Sequence, residues 1–224
     1  MSKPYFQQVP DLLYTDRSSG NKSISSYSKV KNLFKRAKLR TDIYSDLTFF
    51  TKYQIKGDER PDNVAEKFYD DSTLDWVILL ANNITNIQTE WPLSEYSYNN
   101  FLMDKYGTEE KLQEVNHYEC TGVKNSEGAV MAQQGLTVEK DYSVTYLDPD
   151  SNIGKVTITN ATETITNLAY ENKIQDAKRN IYVLKRQYLN TVFNDLSRAM
   201  KYKKGSTQYI SGTLKKTENI RLYS

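Results

Sequence analysis

The chain has 224 residues, 38% of them hydrophobic, with 18 Tyr, 9 Gly, 5 Pro and 1 Cys. That length holds one large domain or two small ones, and the composition excludes collagen-like, low-complexity and disulfide-scaffold classes. Thirty basic against 28 acidic residues leave a net charge of +2, which gives no global pull toward nucleic acid.

Residues 1–28 are polar, rich in Ser and Tyr, with Pro4, Pro10 and Gly20, and read as an extended N-terminal arm with turn signals. The character changes at 29–46. Val30, Leu33, Phe34 and Ala37 keep an i, i+3, i+4, i+7 spacing among Lys29, Lys31, Lys35, Arg36, Lys38 and Arg40. The spacing predicts a short basic amphipathic helix followed by a linker. Such a helix packs by one apolar face with its cations toward solvent or a partner's acids, or else contacts nucleic acid or anionic lipid.

The segment 47–115 is the most informative. Phe49-Phe-Thr-Lys-Tyr-Gln-Ile55 alternates as a strand, with Phe49, Thr51, Tyr53 and Ile55 on one face. Lys56-Gly57-Asp58 is a turn signal, and Pro61 suits the first position of a helix. Val64, Ala65 and Phe68 give that helix its apolar face. Asp70-Asp-Ser-Thr breaks it, with Ser72 or Thr73 able to cap the next helix. That second helix, Leu74 to Asn83, is apolar on nearly all sides and must be covered on more than one face. It is the expected centre of the core. Trp91-Pro-Leu-Ser follows, then helices from about Ser97 to Lys105 and near Glu109 to Val115.

Residues 116–169 turn β-rich, with strand-like Tyr118–Thr121, Tyr142–Leu147 and Lys155–Thr159, the last two joined by a turn cluster at 148–154. In 170–204, Ile174, Ala177, Ile181, Leu184 and Tyr188 allow one long helix. The compact Ile181-Tyr-Val-Leu184 instead favours a strand, followed by a C-terminal helix from about Gln187 to Tyr202. Residues 205–224 are an extended polar tail with strand-like pieces at Gln208–Ile210 and Ile220–Leu222. The longest unbroken apolar run, Trp76 to Ala81, is far short of the ~20 residues of a membrane span. The first residues lack a signal-peptide core, and one Cys gives no disulfide, so assembly in a reducing cytoplasm is expected.

Chemistry-bearing clusters are sparse. His117-Tyr-Glu-Cys120 holds the one His and the one Cys, but on a strand these residues alternate faces, which is poor metal geometry. No catalytic residue, metal or cofactor is expected. Asp58, Glu59, Asp62, Asp70 and Asp71 sit where carboxylates complement helix dipoles. Trp76 and Trp91 could form sugar platforms, though Trp76 lies in the apolar helix and reads as core.

Strand, Gly-Asp turn, short helix, loop and second helix ending in Asn is the element order of a LysM module. Tyr53-Gln-Ile-Lys-Gly-Asp58, Val64-Ala-Glu-Lys-Phe-Tyr69 and Leu79-Leu-Ala-Asn82 carry that likeness. The wider pattern resembles the baseplate wedge protein 53 family of T-even-like contractile-tailed phages. The matching pieces are Lys31-Asn-Leu-Phe-Lys-Arg36, Tyr53 to Pro61, Val64 to Tyr69, Trp76 to Asn83, Trp91-Pro-Leu-Ser94, Lys105-Tyr106, His117-Tyr-Glu119, Tyr170-Glu-Asn and Lys178-Arg-Asn-Ile181. The resemblance implies a structural subunit of the virion tail baseplate and no enzyme. It would join neighbouring wedge proteins near the tail tube and sheath start. Its implied partners are other wedge proteins, sheath-initiator and tube-proximal proteins, and copies in neighbouring wedges, without nucleic acid or membrane. The expected fold is α+β: a LysM-like strand-helix-helix-strand module, a β-rich insert, a C-terminal helix and extended arms at both ends. Val30, Leu33, Phe34, Arg36, Arg60, Trp91 and Tyr202 are the candidate protein-interface residues. The alternative is a LysM-type peptidoglycan- or glycan-binding protein. A nucleic-acid-binding module led by 29–40 is the third reading.

Overall fold

Helices and strands fall in runs along the chain, as the computed structural model shows for residues 4–15, 27–36, 38–148, 154–205 and 208–217. In chain order come α1 (Tyr5–Gln8), β1 (Asp11–Thr15), β2 (Tyr27–Lys31), α2 (Thr41–Ser45), β3 (Phe50–Gln54), α3 (Pro61–Tyr69), α4 (Asp75–Ala81) and α5 (Ile87–Glu90). Next are α6 (Glu95–Tyr106), α7 (Glu109–Gln113), β4 (Val115–Cys120), β5 (Val123–Lys124), β6 (Val130–Ala132) and β7 (Thr137–Val138). Then follow β8 (Val144–Leu147), β9 (Lys155–Ile158), β10 (Thr162–Thr166) and α8 (Asn167–Arg179). The chain closes with β11 (Asn180–Leu184), α9 (Leu189–Met200), β12 (Tyr209–Ser211) and β13 (Leu214–Lys216). Two compact units result: Met1–Trp91 with Asn180–Ser224, and Pro92–Arg179. No helix among the described residues is long and apolar enough to cross a membrane.

In the first unit, β3 finds its strand partner late in the chain. It pairs antiparallel with β11, Tyr53 opposite Ile181 and Thr51 opposite Val183. The segment 47–115 is therefore not a closed module: its second strand arrives only after the whole of the second unit. Against this two-stranded sheet pack α3, α4 and α9. Val64, Ala65, Val77, Ile78, Ile181, Val183, Leu184, Val192, Phe193 and Leu196 are all buried. Pro61 opens α3, where its missing N–H costs nothing, and Asn63 Oδ1 accepts the Arg60 backbone N–H at 3.1 Å. Asp70 ends it in a left-handed conformation, φ 56°. Neither Ser72 nor Thr73 caps α4, whose N-cap is Leu74; the Asp71 carboxylate caps the 3-10 turn Ser72–Leu74 before it, accepting the Thr73 N–H at 3.0 Å.

The outer edge of β11 is closed by side chains. Asn82, just past α4, takes both backbone groups of Tyr182: its Nδ2 donates to the carbonyl and its Oδ1 accepts the N–H, each at 2.8 Å. The same Nδ2 reaches Ile78 O at 2.8 Å. Tyr69 Oη donates to Leu184 O at 2.9 Å in the buried core, and burial pushes its phenol well above the usual range. One asparagine thus does the work of a third strand and ties α4 to the sheet. We expect Asn82→Ala to cost about 1–3 kcal/mol in urea unfolding, since it leaves Tyr182 without partners. A loss near zero would mean that water replaces the amide freely.

The expectations for the two ends and for 29–46 are corrected. Residues 27–31 are a strand, not the start of a helix, and β2 runs antiparallel to β1. Of the notional stripe, Val30 is 42%, Leu33 70% and Phe34 97% exposed, and Ala37 lies outside the described residues. A helix there would have had no face to bury, and most helical stability comes from such burial. Lys29 and Lys31 share one strand face and pair with Asp11 at 3.0 and 2.9 Å. Their hydrogen bonds, Lys31's first, hold the Asp11 carboxyl below its ordinary value. The tail is likewise sheet. β13 lies parallel to β1, and the strand order is β12-β13-β1-β2. Arm and tail complete one another, which neither segment alone reveals. The strand-like Ile220–Leu222 and residues 16–26 lie outside the described residues. In β3 the expected face holds in part: Ile55 is buried and Phe49 and Tyr53 pack against the core, but Thr51 is exposed and Phe50, expected on the other face, is buried. A 3-10 turn over Leu47–Phe49 leads directly into the strand.

The second unit has its own β-rich core of Cys120, Val123, Ala132, Val144 and Ala161. Its sheets are β10-β4-β7, β5-β6 and the expected β8-β9 hairpin. Its helices α6 and α8 are joined by a buried carboxylate. Glu171 accepts from Lys105 Nζ at 2.6 Å and from Tyr106 Oη at 2.9 Å. His117 and Glu119 share a strand face and meet at 3.1 Å, with Lys173 Nζ on Glu119 at 2.6 Å. Cys120 points the other way, into the core. Among the described residues, no group of three or more His, Cys, Asp or Glu is placed to hold a metal ion.

Candidate interaction surface

Between β2 and α2 the chain makes a tight turn that carries two large apolar side chains outward. Asn32 Oδ1 accepts the Phe34 N–H at 3.2 Å, and Lys35 N donates to Asn32 O at 3.1 Å. This local bonding is what asparagine supplies at turns. Tyr202 holds the stem. Its Oη accepts from Asn32 Nδ2 at 2.8 Å and donates to Asp11 O at 3.1 Å. Lys35 Nζ lies 4.8 Å from the centre of the Tyr202 ring and donates to Lys201 O at 2.7 Å. Burial, then the charge of Lys203, lower the Lys35 pKa. Leu33 and Phe34 therefore form a fixed knob, not a loose loop. An exposed phenylalanine on an anchored turn is what an interface anchor looks like before its partner arrives.

Beside the knob lies an apolar groove of about 580 Å³ in the first unit. Its walls are Tyr5, Phe6, Leu79, Leu80 and Ile84, with Trp76 beneath. Here the all-round apolar character of α4 finds its explanation. Trp76, Val77, Ile78 and Ala81 are buried, while Leu79 and Leu80 are only half-buried and line the groove. Tyr5 packs on Trp76 with ring centres 5.8 Å apart. Asp75 stands at the edge. Burial raises its pKa, against the hydrogen bond it accepts from the Trp76 N–H, and the nearby charge of Asp62 adds to the rise. Glu90 accepts from the N–H groups of Thr85 and Asn86 at 2.5 and 3.0 Å. Those backbone bonds, Asn86's first, lower its pKa. Arg36 lines the groove and reaches Asn83 Oδ1 at 3.4 Å.

The candidate interface residues thus divide. Val30, Leu33, Phe34, Arg36 and Tyr202 belong to one region, Tyr202 as the half-buried anchor and not as a contact. Arg60 and Trp91 belong to another. Arg60 is exposed and pairs with Asp62 at 3.3 Å. Trp91 is only 5% exposed and donates from Nε1 to Glu59 O at 3.0 Å, so it supports the loop before α3 from inside. Neither Trp76 nor Trp91 offers an exposed ring to a sugar. Tyr5, Phe6, Leu79, Leu80, Ile84 and Asp75 were not among the candidates. The excess of apolar residues on α4 was the one signal that could have found them.

A family model described as base plate wedge protein 53 matches residues 14–134, more than half of the chain. The match takes in the knob, α3 and α4. No curated protein matches the chain.

Proposed function

Since the chain belongs to the base plate wedge protein 53 family of bacteriophages, a family of structural baseplate components, we propose that it joins neighbouring wedge proteins in the virion tail and is needed for tail assembly. Its place is near the tail tube and the start of the sheath, among other wedge proteins and sheath-initiator and tube-proximal proteins. The role is mechanical and involves no catalysis. The β3–α3–α4–β11 order, a strand-helix-helix-strand arrangement, supports reading the first unit as a LysM-like fold used to dock protein. Both tryptophans are buried, so neither offers its ring to a glycan.

The anchored Leu33–Phe34 knob carries this reading. Two apolar side chains that become buried contribute ~1.5–3 kcal/mol each, whereas exposed ion pairs typically contribute ~0–1 kcal/mol. In complementation of a phage lacking this protein, Leu33→Ala with Phe34→Ala should therefore reduce plaque yield far more than Arg36→Ala with Lys38→Ala. Lys35 is left alone because it holds the turn. Normal yield with both apolar residues removed would defeat the docking reading. Retention of the purified chain on insoluble peptidoglycan would favour the glycan-binding alternative instead.

A further inference from the structure

We propose that a lysine-rich corner of the first unit, where the β12-β13-β1-β2 sheet meets Tyr202, binds a segment of another protein that carries Asp or Glu carboxylates among apolar residues. The inference rests on reading the chain as a protein that docks protein, and it adds the chemistry of one partner.

Strand register gathers the first cations. Asp11 stands opposite Lys31, and Leu13 stands opposite both Lys29 and Lys216. Residues opposite one another share a face of a sheet, so the three lysines lie together. The Asp11 carboxylate is already shared between Lys29 and Lys31, at 3.0 and 2.9 Å. Lys216 Nζ lies instead 4.3 Å from the centre of the Tyr27 ring. Tyr202 joins this sheet to a second group, since its Oη donates to Asp11 O and accepts from Asn32 Nδ2. Around it stand Lys35, Lys201 and Lys203. Lys35 Nζ is held on the Lys201 carbonyl and over the Tyr202 ring, half-buried and close enough to Lys203 to feel its charge. Among the described residues neither these three lysines nor Lys216 forms an ion pair. The stretches 29–40 and 201–217, which supply all six cations, contain no Asp or Glu.

A half-buried ammonium crowded by another is costly, and a carboxylate supplied across an interface offsets that cost. Protein fits this corner better than nucleic acid because the cations are interleaved with apolar surface. Leu13, Tyr27 and Leu214 are half-buried on the lysine face, and Leu33 and Phe34 project from the turn beside Lys35. Aromatic and aliphatic side chains among charges match a protein segment, whereas a phosphate backbone uses the cations alone.

The test is fluorescence anisotropy of short labelled peptides with the full chain, at low and moderate salt. One peptide alternates Glu and Leu, the other Gln and Leu. The Glu peptide should bind, more weakly as salt rises, and the Gln peptide should not. Lys201→Gln with Lys203→Gln should weaken binding of the Glu peptide about three- to tenfold. Lys35 is kept because it holds the turn. Lys52→Gln with Lys56→Gln removes the same charge at and just after β3 and should leave the affinity unchanged. Circular dichroism checks that each variant is folded. Equal binding of the two peptides overturns the proposal, as does an equal loss with either pair of substitutions. So does tighter binding of a short DNA duplex, or of phosphatidylserine vesicles, than of the Glu peptide. If the Glu peptide fails to bind while phage complementation still needs Leu33 and Phe34, the acidic partner falls and the docking role stands.

Discussion

Ile78→Asp should abolish folding of the first unit. Ile78 is fully buried, at 0% exposure, on the inner face of α4, in the core shared by α3, α9 and the β3–β11 pair. Truncating a buried isoleucine costs ~2–5 kcal/mol through lost transfer energy and the cavity left behind. Burying an unpaired carboxylate adds several kcal/mol more, even after its pKa shifts. The sum is comparable to the whole ~5–15 kcal/mol stability of a domain. Both tryptophans of the chain, Trp76 and Trp91, lie in this unit, so Trp fluorescence reads it without contribution from the other. The emission of Ile78→Asp should resemble that of urea-unfolded wild type, with no cooperative transition. A variant that melts like the wild type would place this face of α4 in solvent.

Trp91→Ala should lower stability by ~3–5 kcal/mol, the usual cost of emptying a buried tryptophan site. For a chain of this size that is a fall in Tm of about 6–20 °C. Two terms contribute: the apolar ring, 5% exposed, and the Nε1 hydrogen bond to Glu59 O. Trp91→Phe should recover most of the first and none of the second, leaving a deficit of ~1 kcal/mol. An exposed Trp91 acting as a contact for a partner or a sugar would give a different result. Its removal would then change stability by less than ~0.5 kcal/mol. Differential scanning calorimetry of the three proteins separates the two cases.

Local signals read correctly wherever an element announces itself within its own residues. Pro61 began a helix, Asn82 ended one, and the apolar run Trp76–Ala81 marked the core because no solvated helix tolerates it. The β8–β9 hairpin and the strand over Ile181–Leu184 were legible from β-branched and aromatic residues between turn signals. The helix expected from about Ser97 to Lys105 runs from Glu95 to Tyr106, with Ser94 capping it and Gly107 closing it, short-range chemistry that the sequence reading did not use.

What sequence alone determined about this protein is therefore its α+β class, its central helix and its family likeness; what only the tertiary structure decided is which distant segments meet. Nothing near Phe50–Gln54 says that its partner strand begins at Asn180, nor that Asp11–Leu13 lies beside Leu214–Lys216. Strand pairing is a contest between distant segments, and the winner depends on packing of the whole unit. The segment 29–40 failed for the same reason. Its spacing fits a helix, but Asp11 offers Lys29 and Lys31 a strand-face pairing, and Tyr202 offers Asn32 an anchor for a turn. Helix propensity contributes only tenths of a kcal/mol per residue, so contacts from 20 and 170 residues away override it. The same override turned an expected buried stripe into the exposed knob, and left half of an apolar helix lining a groove that no periodicity could have located.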